Sequence, residues 1–329
     1  MTKNSIYTTM QLIAEILTFN DNHTALSKQL EQTSVDWNKV VIVASNHLML
    51  PALYCRLKAK GLLKLIPDDL NDYLKEITDI NRGRNEVLLA EANEISEIFK
   101  KENIDHVFIK GIALISGETF EDPAERMLSD IDLLVAKNQL QRAFNILTRH
   151  GYTETVTSVI ERKNRRHLPR QVSQEKFGAV ELHSEILRHK HRYLISSEQV
   201  LQNKRIINGI AIPSVEDAIR ISILAFQIND KAHLYGYLSF KTIYDCLALQ
   251  LPSKSILLKH LADEKHSQSF LKMSSIFFKE LAPYKSSNYS ALIKRYYMFR
   301  INHPKLGQII SSTVHTTINI QVRLKLLFY

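Results

Sequence analysis

Apolar residues recur at helical spacing over the first hundred positions and again beyond position 214, with short strand-like runs between. From Tyr7, the run Thr-Thr-Met-Gln-Leu-Ile-Ala-Glu-Ile-Leu returns an apolar side chain every turn, which predicts an amphipathic helix. Asp36 stands where an N-cap would, ahead of a helix from Trp37 that stops at Pro51. Pro51 opens a short helix that ends at Gly61. A longer helix is expected from Pro67 to Glu102, with Asp68 and Asp69 in its first turn. Its second half carries Val87, Leu88, Ala90, Ile95, Ile98 and Phe99, interrupted by Glu91 as a polar break.

The period changes at 104. Ile104–Lys110 reads as a strand halted by Gly111, and Ile112–Gly117 as a short helix. Glu118–Ser129, with Pro123 and several acids, reads as a loop. Ser129–Val135 follows as a β-rich strand of the kind covered on both faces. Lys137–His150 places Leu140, Ala143, Phe144 and Leu147 on one helical face before Gly151. Tyr152–Thr157 and Phe177–His183 are further strands. Between them, Glu161–Gln174 reads as a loop or exposed helix. Alternating strands and helices predict a small mixed α/β sheet over about 104–190.

Pro213-Ser214 and the acids after it begin a second helical region. Helices are expected over 237–251, 254–262, 267–281 and 290–298. The end, Ile320–Tyr329, is amphipathic and basic, and we expect it to dock on the protein's own core rather than on a membrane surface. The division is therefore an N-terminal helical region (1–103), an α/β core (104–205) and a C-terminal helical region (206–329). The chain shows no internal repeat or low-complexity linker, so the three are expected to pack together.

Composition adds two constraints. With 45% hydrophobic and 23% charged residues in 329, the chain is globular rather than disordered. Its longest apolar runs are too short for a bilayer and its first residues are polar, so a cytoplasmic protein without a membrane span is expected. Cys55 and Cys246 lie far apart in apolar helical contexts and read as buried thiols. His47 reads as a packing histidine. The net charge of +9 is uneven: residues 201–329 hold 17 Lys/Arg against 7 Asp/Glu. That basic third could attract a nucleoside triphosphate or a nucleic acid.

The candidate chemistry gathers on the small sheet. On a strand, Asp130 and Asp132 would share a face at roughly 6.5–7 Å along the chain. Two carboxylates at the mouth of a core strand need a cation between them, and a divalent metal is the usual one. Glu181 and His183 share a face of a later strand, and a third carboxylate would complete a site for a hard, oxygen-preferring ion. Lys110-Gly111, between strand and helix, could bring backbone amides and an ammonium to phosphate. The basic run Arg162–His167 could line an anion's path or be a solvated loop. His189 and His191 have no acid pattern that would make a metal site.

Three stretches together, Phe108-Ile-Lys-Gly-Ile-Ala-Leu, Arg126-Met-Leu-Ser-Asp-Ile-Asp-Leu-Leu-Val and Val180-Glu-Leu-His, resemble the bacterial uncharacterised nucleotidyltransferase family of the DNA polymerase β-like superfamily. His167-Leu-Pro and Tyr244-Asp245 echo the same family, and the likeness covers about residues 36–250. The resemblance implies an α+β fold, with a small polymerase-β-like sheet flanked by helical regions. It implies Mg²⁺ or Mn²⁺ held by Asp130, Asp132 and Glu181, with Glu181 as candidate general base. Lys110, Gly111, Arg126, Ser129 and His183 would adjoin the nucleotide, with Arg126 bridging the acid pair or meeting a phosphate oxygen, and His183 orienting a carboxylate. A nucleoside monophosphate would pass from a triphosphate to an acceptor of unspecified kind, with pyrophosphate leaving. The chain departs from many members of the superfamily in having Gly111-Ile112 where they have Gly-Ser. Two other readings stand beside this one: an inactive module of the same fold acting as a binding or antitoxin-like partner, and a nucleic-acid-binding protein that uses the basic C-terminal helices.

Overall fold

The computed structural model describes residues 5–32, 34–155, 166–282 and 287–327. Helices α1 (Ile6–Leu17), α2 (His23–Gln32), α3 (Trp37–Asn46) and α4 (Leu50–Ala59) form the N-terminal region. Asp36 caps α3, its carboxylate accepting the Lys39 N–H at 3.0 Å. The helix ends at Asn46, four residues earlier than Pro51 alone would dictate, because Leu48 adopts a left-handed φ of 58°. His47 stacks on Phe240 at 4.8 Å between centroids, as a packing residue does.

Helix α5 (Asp68–Lys101) runs for 34 residues and joins two cores. Its first turns bury Leu70 and Leu74 among α1–α4, and its last bury Leu88, Ala92, Ile95 and Phe99 under the sheet. Between these lie Asn81 and Asn85, both buried, whose amides donate to the Ala124 carbonyl at 2.7 Å and the Arg126 carbonyl at 2.8 Å. A buried amide is tolerated because it is bonded. Glu91, the polar break in the pattern, is buried too: it accepts the Tyr152 hydroxyl at 2.8 Å and the Gly178 N–H at 2.7 Å. The asparagines thus tie α5 to the loop before β2, and Glu91 ties it to the residues that lead into β3 and β5.

The sheet has the order β1 (His106–Ile109), β2 (Ile131–Val135), β5 (Val180–His183), β4 (Gln171–Val172), β3 (Thr153–Glu154). Only β2 and β5 are parallel. Helix α6 (Lys110–Ser116) leaves β1, and α7 (Leu140–Arg149) connects β2 to β3. One face, bearing Phe108, Leu133, Val135 and Leu182, packs under α5 and α7. The opposite face, bearing Val107, Ile109 and Leu134, packs against α8 (Ser197–Gln202) and α9 (Val215–Leu224). A hairpin, β6 (Arg205–Ile207) and β7 (Ile210–Ile212), precedes α9 and was not anticipated.

Beyond α9, a π-helical turn at Ala225–Asn229 leads to α10 (Ala232–Tyr235), α11 (Phe240–Ala248), α12 (Ser255–Asp263), α13 (Lys265–Ser274), α14 (Asn288–Asn302) and α15 (Pro304–Leu327). Residues of α9, α11, α12 and α13 share one apolar cluster with α1–α4, so the two ends of the chain close on each other. The expected docking of Ile320–Tyr329 does not extend to Ile320, which is 51% exposed. The side chains after it lie outside the described residues. Both cysteines are buried and free, and burial pushes the Cys55 thiol up to about 12. No helix among the described residues is long and apolar enough to cross a membrane.

Candidate functional site

Parallel pairing of β2 with β5 sets Asp132 beside Glu181 and Leu134 beside His183. Side chains two apart on a strand share a face, so Asp132, Glu181 and His183 gather on the side that looks towards the C-terminal helices. One ligand atom from each lies within 4.8 Å of the others. Asp132 is 2% exposed and His183 fully buried.

Asp132 Oδ1 accepts from Lys110 Nζ at 2.5 Å and from His183 Nε2 at 2.6 Å. The histidine tautomer follows from its other neighbour. Arg166 Nη1 stands 3.1 Å from His183 Nδ1, and a guanidinium can only donate, so the proton is on Nε2 and points at Asp132. Burial drives the imidazole pKa down to about 4 against the pull of Asp132, so the ring is neutral near pH 7. Burial alone would raise the Asp132 carboxyl; the Lys110 ammonium and the His183 N–H outweigh it and hold the group below the usual carboxylate range. His183 therefore orients a carboxylate, and both of its nitrogens are engaged.

Asp130 differs from its expected place. The strand begins at Ile131, so Asp130 lies just outside it. It takes a hydrogen bond from Ser129 Oγ at 2.9 Å and from Arg170 Nη2 at 3.1 Å. Burial and the neighbouring Asp132 charge raise its pKa. The cations that answer the acid pair here are side chains: Lys110 on Asp132, and Arg170 on Asp130 and Glu181 at 3.1 and 3.2 Å.

Arg126 does not bridge the acid pair, although it lines the cavity. Its Nε and Nη2 donate to Asp245 of α11 at 2.7 and 3.1 Å, and Nη1 to the Met127 carbonyl at 2.6 Å. Next to it, the Tyr244 hydroxyl donates to Glu125. Two consecutive pairs thus clamp the loop before β2 to the C-terminal region, which accounts for Tyr244-Asp245.

At the turn between β1 and α6, Lys110, not Gly111, takes the left-handed conformation, with φ of 57°. A non-glycine residue there stores strain of order 1 kcal/mol, the kind found at functional sites. Gly111 has a packing reason: a methyl group in its place would collide with the Leu128 side chain. With seven residues, α6 offers little dipole to an anion.

These groups border a cavity of about 340 Å³. Lys110, Gly111, Arg126, Ser129, Asp130 and Asp132 line one side; Glu181 and His183 are not among the lining residues. On the other wall, Arg166 comes from the basic run that could line an anion's path, while Asn229, Asp230, Lys241 and Thr242, from the π-helical turn and α11, had no signal in the sequence. Burial and the nearby Arg126 charge lower the Lys241 pKa. Of the basic run 162–167, Arg166 lines the cavity and His167 bridges to His183 in the sheet; Arg162–Arg165 lie outside the described residues.

The donor set suits a hard divalent ion. Asp132 Oδ1 is fixed by two donors, Glu181 brings a carboxylate oxygen within 4.8 Å of an Asp132 ligand atom, Asp130 stands outside that group but is joined to Glu181 through Arg170, and no sulfur is present. No curated protein matches the chain. The family model described as uncharacterised nucleotidyltransferase matches residues 33–255, which takes in α3 to α11 and every group named above. The chain belongs to the uncharacterised nucleotidyltransferase family.

Proposed function

We propose that the protein is a cytoplasmic, metal-dependent nucleotidyltransferase that moves a nucleoside monophosphate from a nucleoside triphosphate to a hydroxyl or phosphate acceptor. The observation that carries this reading is the Asp132–Glu181 pairing across β2 and β5, beside a cavity onto which Lys110, Arg126, Arg166 and Lys241 converge. Asp132, Glu181 and Asp130 would hold Mg²⁺ or Mn²⁺. Such an ion neutralises charge on the phosphates and activates the attacking oxygen.

The chain's own residues supply the rest. His183 fixes Asp132 Oδ1 so that the second oxygen is presented in one orientation. Lys110, Arg166 and Lys241 converge on the cavity and would grip the triphosphate, taking the place of the absent serine after Gly111. Glu181 would receive the acceptor proton as the acceptor oxygen bonds to the α-phosphorus. The bond from that phosphorus to the bridging oxygen breaks, and pyrophosphate leaves with the pair. Positioning accounts for most of the acceleration in such a reaction.

The test is incubation with each of the four α-labelled ribonucleoside triphosphates, Mg²⁺ or Mn²⁺, and a panel of protein, RNA and small-molecule acceptors. Label transfer with release of pyrophosphate, lost in Asp132→Asn, is expected. Absence of both triphosphate binding and transfer with either metal would sink the reading.

A further inference from the structure

Arg170 stands between two of the three acids, Asp130 and Glu181. Its Nη2 lies 3.1 Å from Asp130 Oδ2 and 3.2 Å from Glu181 Oε1, and Nε lies 3.3 Å from the same Glu181 oxygen. One guanidinium therefore pairs with two of the three carboxylates, while Lys110 pairs with the third. The backbone behind it is pinned. The Arg170 carbonyl accepts the Thr155 N–H at 2.9 Å and its hydroxyl at 3.0 Å, and Gln171, fully buried, pairs with Val180 of β5. The head is not pinned: the side chain is 42% exposed.

We infer that Arg170 is a resident counter-cation that a divalent ion must displace, and that this displacement couples metal binding to triphosphate binding. The inference rests on the proposed metal-dependent reading. A divalent ion and a guanidinium cannot share Asp130 and Glu181 oxygens without like-charge repulsion. Metal alone must therefore break two ion pairs, and it binds weakly. A triphosphate arriving with the metal offers the released guanidinium new oxygens, which it can meet in bidentate fashion from its fixed backbone. Each ligand then favours the other, and the coupling is reciprocal. The arrangement keeps each carboxylate in an ion pair until the complete substrate is present.

The experiment measures Mn²⁺ affinity by electron paramagnetic resonance, without nucleotide and then with a non-hydrolysable triphosphate, for the full chain and for Arg170→Gln, Arg170→Lys and Asp132→Asn. Arg170→Gln is expected to bind Mn²⁺ alone about tenfold more tightly than wild type, and to lose most of the enhancement that the triphosphate gives wild type, within the usual range of such couplings. Arg170→Lys, with a single shorter cation, should fall between. Equal or weaker Mn²⁺ binding by both Arg170 variants, with Asp132→Asn deficient, overturns the inference while leaving the metal site standing. Unchanged binding by Asp132→Asn overturns the metal site and the inference together. Thermal melting with and without Mn²⁺ reads the same differences independently: Mn²⁺ should raise the melting temperature of Arg170→Gln more than that of wild type.

Discussion

Arg126 and Asp245, 119 residues apart in sequence, form a two-point ion pair at 2.7 and 3.1 Å, with both side chains no more than 10% exposed. The pair couples the loop that delivers β2 to the helix that closes the cavity. Removing one partner leaves an uncompensated buried charge, which costs about 3–5 kcal/mol. Arg126→Gln and Asp245→Asn should each lower stability by that order in urea unfolding. The double variant should cost less than the two combined, since neither charge is then stranded.

Asp130→Asn and Asp132→Asn should move stability in opposite directions when no metal is present. Asp130 ionises against burial and against Asp132, so its neutral replacement is expected to be neutral or to stabilise by up to about 1 kcal/mol. Asp132 is favoured as an anion by Lys110 and His183, and Asn there should cost about 1–3 kcal/mol. Melting temperatures at pH 7 in a chelator distinguish them. A gain from both substitutions would contradict the different environments of the two acids.

Gly111→Ala tests whether that glycine serves packing. The new methyl meets the Cδ2 end of the Leu128 side chain, which borders the cavity and must turn towards it. Overpacking that a side chain can relieve in this way should fall at the low end of the usual range, about 1 kcal/mol. Adding Leu128→Ala should return part of that loss, so the two changes together cost less than their separate effects imply. Additive losses would mean that the glycine is needed for another reason.

Several of these relationships were legible early and others were not, for physical reasons. The acid strand, the carboxylate at 181, the Lys110-Gly111 turn and the caps of the helices are local signals, and the family likeness rested on the first three. Arg170 and Lys241 were hidden because their partners are set by tertiary pairing. Arg170 meets Asp130 only because β4 runs antiparallel beside β5, and Lys241 reaches the cavity from a helix in another region. Arg126 was expected at the acids, but a guanidinium that is nearly buried takes the carboxylate that can follow it inside. The β6–β7 hairpin did carry a readable mark: Asn208-Gly209 between isoleucines, with φ of 49° and 82°, is a two-residue turn signal. Glu91, read as a break in an apolar stripe, is an anchor that only the folded neighbours Tyr152 and Gly178 reveal.

His47 gives the protein a pH dependence separate from the site. Burial against Phe240 lowers its pKa from an ordinary 6.5 to about 4. Between those values the unfolded chain binds the proton more readily, so stability rises with pH across the window. The contribution is complete above about pH 6.5 and is lost as pH falls towards 4, amounting to at most about 3 kcal/mol. His47→Gln should flatten that part of the stability profile in denaturant titrations at pH 4.5 and 7. An unchanged slope would mean that the ring is not desolvated.

The central claim is that Asp132 and Glu181 hold a metal through which the cavity takes a nucleoside triphosphate. Calorimetric titration of the full chain with a non-hydrolysable triphosphate, with Mn²⁺ and then with chelator, tests it directly. Binding is expected to need the metal and to fall at least tenfold in both Asp132→Asn and Glu181→Gln, variants that still melt cooperatively. Triphosphate binding of equal strength in chelator, or undiminished in those two variants, would contradict it.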